Sequence, residues 1–313
     1  MRILVLGAGA TGGYFAGRLA QVGGDVTFLV RSRRAAQLAA RGLVVKSPHG
    51  DFVVPAKFVQ QPEVRPDYDL VMLTCKAYDL DAAIASITPA MGPTTFVLPL
   101  LNGLAHLDRL DAALGPGRVL GGTCYIAGNL APEGEIVQLT QLHRIAFGKR
   151  PGNDAKAAVA LMKLAAVFTK TKVESQLATD ILLEMWEKYA LLATLAAMTC
   201  LMRASVGDIV ATDEGEGLME ACFATCEDTA RAEGHEPRAD RLAQARKMLT
   251  EAGSTFTASM LRDIEAGSRT EADHIVGDML RRATAAKVPC GILRAAYCHL
   301  QAYEVRRQRE KKA

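Results

Sequence analysis

Lys188 is one residue of this 313-residue sequence whose type and surroundings could do chemistry. It ends the run Glu184-Met185-Trp186-Glu187-Lys188 and opens an uncharged apolar stretch, 189–202, that stops at Arg203. On a helix it shares a stripe with Leu192, Leu195, Ala196 and Thr199, so its amine faces the packed side. Partial desolvation there lowers the pKa of an ammonium and suits it to proton transfer. An i,i+4 ion pair with Glu184 explains the same spacing without chemistry. Two further stretches follow buried strands, at the sheet edge where open α/β folds bind ligands. They are Thr74-Cys75-Lys76-Ala77 and Asn102-Gly103, which read as structure alone are a loop cation and a turn pair. Ser268-Arg269-Thr270-Glu271 has the spacing of a capping box, with Glu271 as its third helical residue, and Ser259 stands on the helix before it.

The strongest local motif is Gly7-Ala8-Gly9-Ala10-Thr11-Gly12, followed by Gly13. It sits after the first strand and opens the first helix, the context a dinucleotide-binding turn requires. The first glycine permits the turn, the second lets backbone approach a pyrophosphate, and the third lets helix and strand pack closely. The end of the second strand selects the dinucleotide. A carboxylate there accepts from a ribose 2′-hydroxyl, but here the residues are Arg31, Ser32, Arg33 and Arg34. Guanidinium groups pair with a 2′-phosphate, so NADP(H) is the expected cofactor, although Arg33 and Arg34 also suit an exposed helix start.

These residues need a scaffold, and the first half supplies a strand–helix alternation. Strands are expected at 2–6, 25–30, 43–46, 52–54, 70–74 and 95–98, with helices after the first two. That rhythm implies an α/β fold, a Rossmann-type doubly wound, mostly parallel sheet. Residues 121–147 alternate like an antiparallel edge. From about 179 the pattern is helical throughout, with helices expected at 181–202, 217–232, 238–251, 256–265, 270–286 and 292–306. The domains are therefore expected to be a dinucleotide-binding one over 1–178 and an all-helical one over 179–313.

Composition excludes other classes. Lys+Arg 37 against Asp+Glu 34 leaves a net charge of +3, interspersed, without the basic stripe of a nucleic-acid binder. The short basic tail, Arg306 to Lys312, is broken by Glu310 and reads as a solvated helix end. The N-terminal apolar run is too short for a signal segment, and 189–202 falls short of the ~20 residues a membrane span needs. Seven scattered cysteines without a Cys-x-x-Cys pair point to reduced thiols and a cytoplasmic setting. Cys222 and Cys226 have no histidine at ligand spacing, so no metal is expected.

Taken together, the glycine turn, Arg31, Thr74-Cys75-Lys76-Ala77, Leu101-Asn102-Gly103, Glu184-Met185-Trp186-Glu187-Lys188 and the Ser259 segment leading to Thr270-Glu271 resemble the ketopantoate reductase (2-dehydropantoate 2-reductase) family. The resemblance covers essentially the whole chain. It implies a Rossmann domain plus a helical domain, NADPH, reduction of a 2-oxo acid in pantothenate biosynthesis, and a monomer or homodimer. By position it implies cofactor contacts at Gly7, Ala8, Gly9, Ala10, Thr11, Gly12, Arg31, Lys76, Asn102, Gly128 and Glu271. It implies substrate contacts at Asn102, Lys188 and Ser259, with Lys188 as proton donor and Glu271 at the substrate hydroxyl. Four positions depart from the family pattern: Leu192, Ala196, Val206 and Phe256 stand where it carries asparagines. A site without those amides loses its preference for a hydroxylated substrate, which favours a more apolar 2-oxo acid or an imine. Arg203 offers a carboxylate contact or a plain helix end. A non-catalytic NADP(H) sensor is the remaining alternative, and the intact Lys188, Asn102 and Glu271 argue against it.

Overall fold

The computed structural model describes residues 1–311, so Lys312 of the basic tail lies outside the described residues. The chain divides into two compact units, Met1–Leu101 with His106–Ile181, and Asn102–Ala105 with Leu182–Ala313.

The first unit is built on β1 (Arg2–Leu6), α1 (Ala10–Gln21), β2 (Asp25–Leu29), α2 (Ser32–Arg41), β3 (Leu43–Lys46), β4 (Phe52–Val54), β5 (Lys57–Val59), β6 (Leu70–Leu73), α3 (Leu80–Ile87), β7 (Phe96–Pro99), α4 (His106–Leu114), β8 (Gly121–Leu130), β9 (Ile136–Gly148), α5 (Ala155–Phe168) and β10 (Glu174–Leu177). Five strands form a parallel sheet in the order β5-β2-β1-β6-β7. β1, β6 and β7 are apolar at nearly every position because helices cover both faces of such a sheet. The expected α/β fold is the observed one.

β3 and β4 leave that sheet. They pair with each other, and β3 also pairs with β9, through Val45 beside Ile136, in a second, mixed sheet that also holds β8 and β10. Strand propensity marked both segments, but their partner lies some ninety residues on, where no local pattern reaches. The antiparallel stretch expected at 121–147 is the β8–β9 hairpin, with a register shift between Ile126 and Gly128.

The second unit contains α6 (Ile181–Met202), α7 (Val206–Val210), α8 (Gly215–Ala232), α9 (Ala239–Thr250), α10 (Ser259–Glu265), α11 (Asp278–Ala285) and α12 (Gly291–Glu310). A π turn, Asp273–Gly277, leads into α11. α6 is its centre. From Tyr189 to Cys200 every residue but Leu192 is buried, as an all-round apolar helix demands. α10 begins at Ser259 rather than 256 because the chain before it is tied elsewhere. Val206 N–H donates to the Phe256 carbonyl and Gly207 N–H to that of Ser254. Cys222 and Cys226 are fully buried in α8. No disulfide joins cysteines among the described residues, and no helix is long and apolar enough to cross a membrane.

Candidate active site

In the first unit the glycine turn behaves as its spacing demands. Gly7 sits at φ +89°, open to glycine at little cost. A side chain at Gly12 would place Cβ 2.3 Å from Thr74 Oγ1, so this position must be bare for α1 to lie against β6. Gly9 has no heavy atom within 4 Å of where a Cβ would be and faces open space. The first bond of α1 runs from Gly13 N–H to the Gly9 carbonyl at 2.8 Å, leaving the N–H groups of Ala10, Thr11 and Gly12 outside the helical ladder. Such an end attracts anions.

Beside the turn lies a cleft of about 580 Å³, within the range of small-molecule sites. Gly7, Ala8, Gly9 and Arg31 line it, whereas Ala10, Thr11, Gly12, Lys76 and Gly128 do not. Lys76 lies between two lining residues, Cys75 and Asp79. Gly128 lies against the start of α1, where a Cβ would meet that of Ala10 at 3.7 Å.

Arg33 is the exposed helix-start residue that sequence reasoning allowed for; Arg34 is not. Its guanidinium is half-buried and spans the cleft wall. Nε donates to the Ala8 carbonyl at 3.0 Å, and Nη1 to the Gly134 carbonyl at 2.7 Å and to Gln37 Oε1 at 3.2 Å. Gly134 is at the β8–β9 tip, which Gln37 also holds through the Pro132 carbonyl at 2.9 Å. Arg34 Nη2 is buried with no hydrogen-bond partner among the described residues, and burial holds the guanidinium below its ordinary pKa. A desolvated cation with an unused donor beside an anion-attracting helix start suits a phosphate-bearing ligand. No sequence signal separated Arg34 from Arg33, because its acceptors come from residues far along the chain.

The second unit holds the amine. Lys188 is 6% exposed, and its Nζ donates to Asn102 Oδ1 at 3.1 Å. The side chain is therefore turned inward, and two residues 86 positions apart meet. Glu184 and Glu187 are engaged by Arg238, which donates to Glu184 Oε1 at 2.6 Å and to both oxygens of Glu187. That clamp fixes the entry of α6 one turn from Lys188.

Glu271 is also buried, but it precedes its helix, so the capping-box position expected for it does not form. Thr270 is held instead by Glu304, whose Oε1 accepts from the Thr270 N–H and hydroxyl at 2.7 and 2.8 Å. His274, three residues after Glu271, was not singled out by the sequence. Its ring donates to the Asn102 backbone carbonyl, and burial outweighs the nearby Glu271 carboxylate to hold its pKa below the usual histidine range. The glycine at 103 was the available signal: at φ +76° it marks a tight loop, and a Cβ there would lie 3.3 Å from the His274 ring.

Ser259 is the exposed first residue of α10. Ala258 N–H lies 3.4 Å from Thr199 Oγ1, eleven residues from Lys188 along α6 and so about 16 Å up the helix axis. Leu192 and Ala196 fall between. Val206 and Ala196 are buried, and Leu192 and Phe256 are half-buried. Arg203 ends α6 exposed, in a left-handed conformation at φ +55°.

A buried amine hydrogen-bonded to an amide can hold and deliver a proton. Comparison with known proteins identifies the family. Residues 3–152 match the ketopantoate reductase PanE/ApbA family, and residues 180–304 match its C-terminal family. The uncharacterized oxidoreductase YkpB of Bacillus subtilis is 34% identical over 304 residues, covering 97% of this chain and 99% of that protein. The 2-dehydropantoate 2-reductase of Caulobacter vibrioides is 30% identical over 285 residues, covering 90% of this chain and 92% of that one. The crystal structure of 2-dehydropantoate 2-reductase from Geobacter metallireducens superposes with a TM-score of 0.86 at 26% identity, covering 96% of this chain and 99% of the other. With matches running through both of its units, the chain belongs to the ketopantoate reductase PanE/ApbA family of oxidoreductases.

Proposed function

We propose that the protein is an NADPH-dependent reductase of a 2-oxo acid, of the 2-dehydropantoate 2-reductase type, with Lys188 as proton donor. One observation carries the reading: a buried lysine amine at the head of an apolar helical stretch, 3.1 Å from the amide oxygen of Asn102. When bound, the reduced nicotinamide supplies a hydride to the ketone carbon. Gly7, Ala8 and Gly9 admit the pyrophosphate, and the unpaired N–H groups that begin α1 neutralise it. Arg31 and Arg33, exposed at the start of α2, pair with the 2′-phosphate, while Arg34 holds the cleft wall in place. Lys76, Asn102, Gly128 and Glu271 complete the cofactor contacts that the family pattern assigns.

Lys188 holds its proton at Nζ and passes it to the oxygen of the substrate as negative charge develops there. The same ammonium stabilises that charge, an effect that grows as water is excluded. The Asn102 amide oxygen takes one N–H of the ammonium and so fixes the direction of the others. Glu271 hydrogen-bonds the product hydroxyl, and Ser259 contacts the substrate end remote from Lys188.

The apolar groups at Leu192, Ala196, Val206 and Phe256 favour a second reading of the substrate, a 2-oxo acid without the hydroxyl of ketopantoate. A pair of substrates separates the two. Ketopantoate and 3,3-dimethyl-2-oxobutanoate differ only by that hydroxyl. A site built to bind it rejects the analogue by about 10⁴-fold or more, whereas an apolar site treats the two within roughly 100-fold or prefers the analogue. NADPH oxidation with both compounds decides the substrate, and oxidation with neither them nor other 2-oxo acids overturns the reductase reading.

A further inference from the structure

The contact between Lys188 and Asn102 depends on how the Asn102–Gly103 turn is held. That turn has little stiffness of its own, because Gly103 sits at φ +76° with no side chain. It is braced from the next segment of the same unit. The carbonyl oxygen and ring of His274 lie 3.2 and 3.3 Å from where a Gly103 Cβ would be, and the ring donates to the Asn102 carbonyl.

His274 is in turn fixed by the π turn Asp273–Gly277. Its N–H and that of Ile275 both donate to the Glu271 carbonyl, at 3.1 and 3.0 Å. A π turn carries one residue more than an α turn and presents backbone carbonyls to donors outside the helix. Here the outside donor is Tyr189. Its hydroxyl lies 2.8 Å from the Ile275 carbonyl and 3.0 Å from Asp278 Oδ2, in a fully buried site. Tyr189 follows Lys188 in α6.

The contacts close a circuit: Lys188 to Asn102, Asn102 to His274, Ile275 to Tyr189, and along the backbone to Lys188. Glu271 lies at the origin of the π turn. An apolar residue at 274 would fill the space without the cost of burying an imidazole, which marks the ring's N–H as the feature the site uses. We propose that His274 and Tyr189 are positioning residues for the Lys188 amine, acting through the Asn102–Gly103 turn and the Ile275 carbonyl. The proposal takes Lys188 to be the proton donor of the reductase proposed above.

Three variants test it: His274→Leu, His274→Gln and Tyr189→Phe. Each is measured for melting midpoint, for kcat and KM on the 2-oxo acid that the wild type reduces fastest, and for the Lys188 Nζ to Asn102 Oδ1 distance by crystallography. His274→Leu is expected to lose about tenfold in kcat, the scale of one hydrogen bond to a charged group. The KM for NADPH stays unchanged and the amine moves out of reach of Asn102. His274→Gln, which keeps an N–H donor, recovers most of the rate. Tyr189→Phe shows the same split and decides the matter should His274→Leu fail to fold. Wild-type kcat in both His274→Leu and Tyr189→Phe, or an unmoved amine in their crystal structures, overturns the proposal. A wild type that reduces no 2-oxo acid removes the reductase reading, and the crystallographic distances still decide whether these residues position the amine.

Discussion

Replacing Asn102 with alanine removes an acceptor that reaches the Lys188 amine across 86 positions of sequence. The amine is 6% exposed, so bulk water does not simply take the amide's place. A hydrogen bond from a charged donor contributes about 1.5–3 kcal/mol, and each 1.4 kcal/mol is a factor of ten in rate. If the bond is kept while the proton moves, kcat/KM for the 2-oxo acid falls by roughly 10- to 150-fold in Asn102→Ala. The loss falls mainly in kcat, because the amide aims the amine and does not hold the whole substrate. NADPH oxidation measured over a range of oxo-acid concentrations separates kcat from KM, and a thermal melt shows that the fold is intact. A folded Asn102→Ala variant with wild-type kcat would show that the amine does not need the Asn102 amide, and the role given to the 3.1 Å contact would fail.

Arg34→Ala is expected to weaken NADPH binding by about tenfold or more, read by calorimetry, because it loses both a cation and the brace between Ala8 and Gly134. Gly134→Ala moves affinity the same way without changing charge, since its Cβ would fall 2.4 Å from Arg34 Nη1 at φ +94°. Unchanged affinity in both variants would remove Arg34 from the cleft's design. Arg238→Ala leaves the buried carboxylates of Glu184 and Glu187, 4% and 6% exposed, without their guanidinium. A cost of about 3 kcal/mol is expected, lowering the melting midpoint by roughly 10 °C, and a midpoint within error of wild type would refute it. Burial, with His49 stacked at 3.5 Å, holds the His143 pKa down at about 4 in the folded chain. The unfolded chain then binds the extra proton first, so this residue's contribution to stability is full above about 6.5 and is lost as pH falls toward 4. Melts across that window should show a smaller acid loss in His143→Gln than in wild type, and equal losses would rule out His143 as the cause.

What could be read from the sequence was what neighbours along the chain decide. The glycine turn after β1 announces itself because three glycines, a strand end and a helix start fall within a few residues. Lys188 stands out because a single cation meets a long apolar helix. Both patterns are local, whereas the proton-donor role of Lys188 and the roles of Glu271, Ser259 and Gly128 came from the family resemblance. What escaped notice depends on distant partners. β3 and β4 have ordinary strand residues, but the β9 partner of β3 lies some ninety residues further along the chain. Arg33 and Arg34 are alike in sequence, and only the carbonyls of Ala8 and Gly134 distinguish them. His274 has no helical period or motif to recommend it. Its role follows from a loop 171 residues earlier whose glycine leaves room for the ring.

The most direct test of the account is Lys188→Ala, assayed for NADPH binding and for 2-oxo acid reduction in the same preparation. Loss of a positioned general acid is expected to reduce kcat by about 10²- to 10⁴-fold. Cofactor affinity should hold, because the cleft that Gly7, Ala8, Gly9 and Arg31 line is built from the other unit of the chain. Turnover within a few-fold of wild type, with the variant folded and NADPH bound, would contradict it.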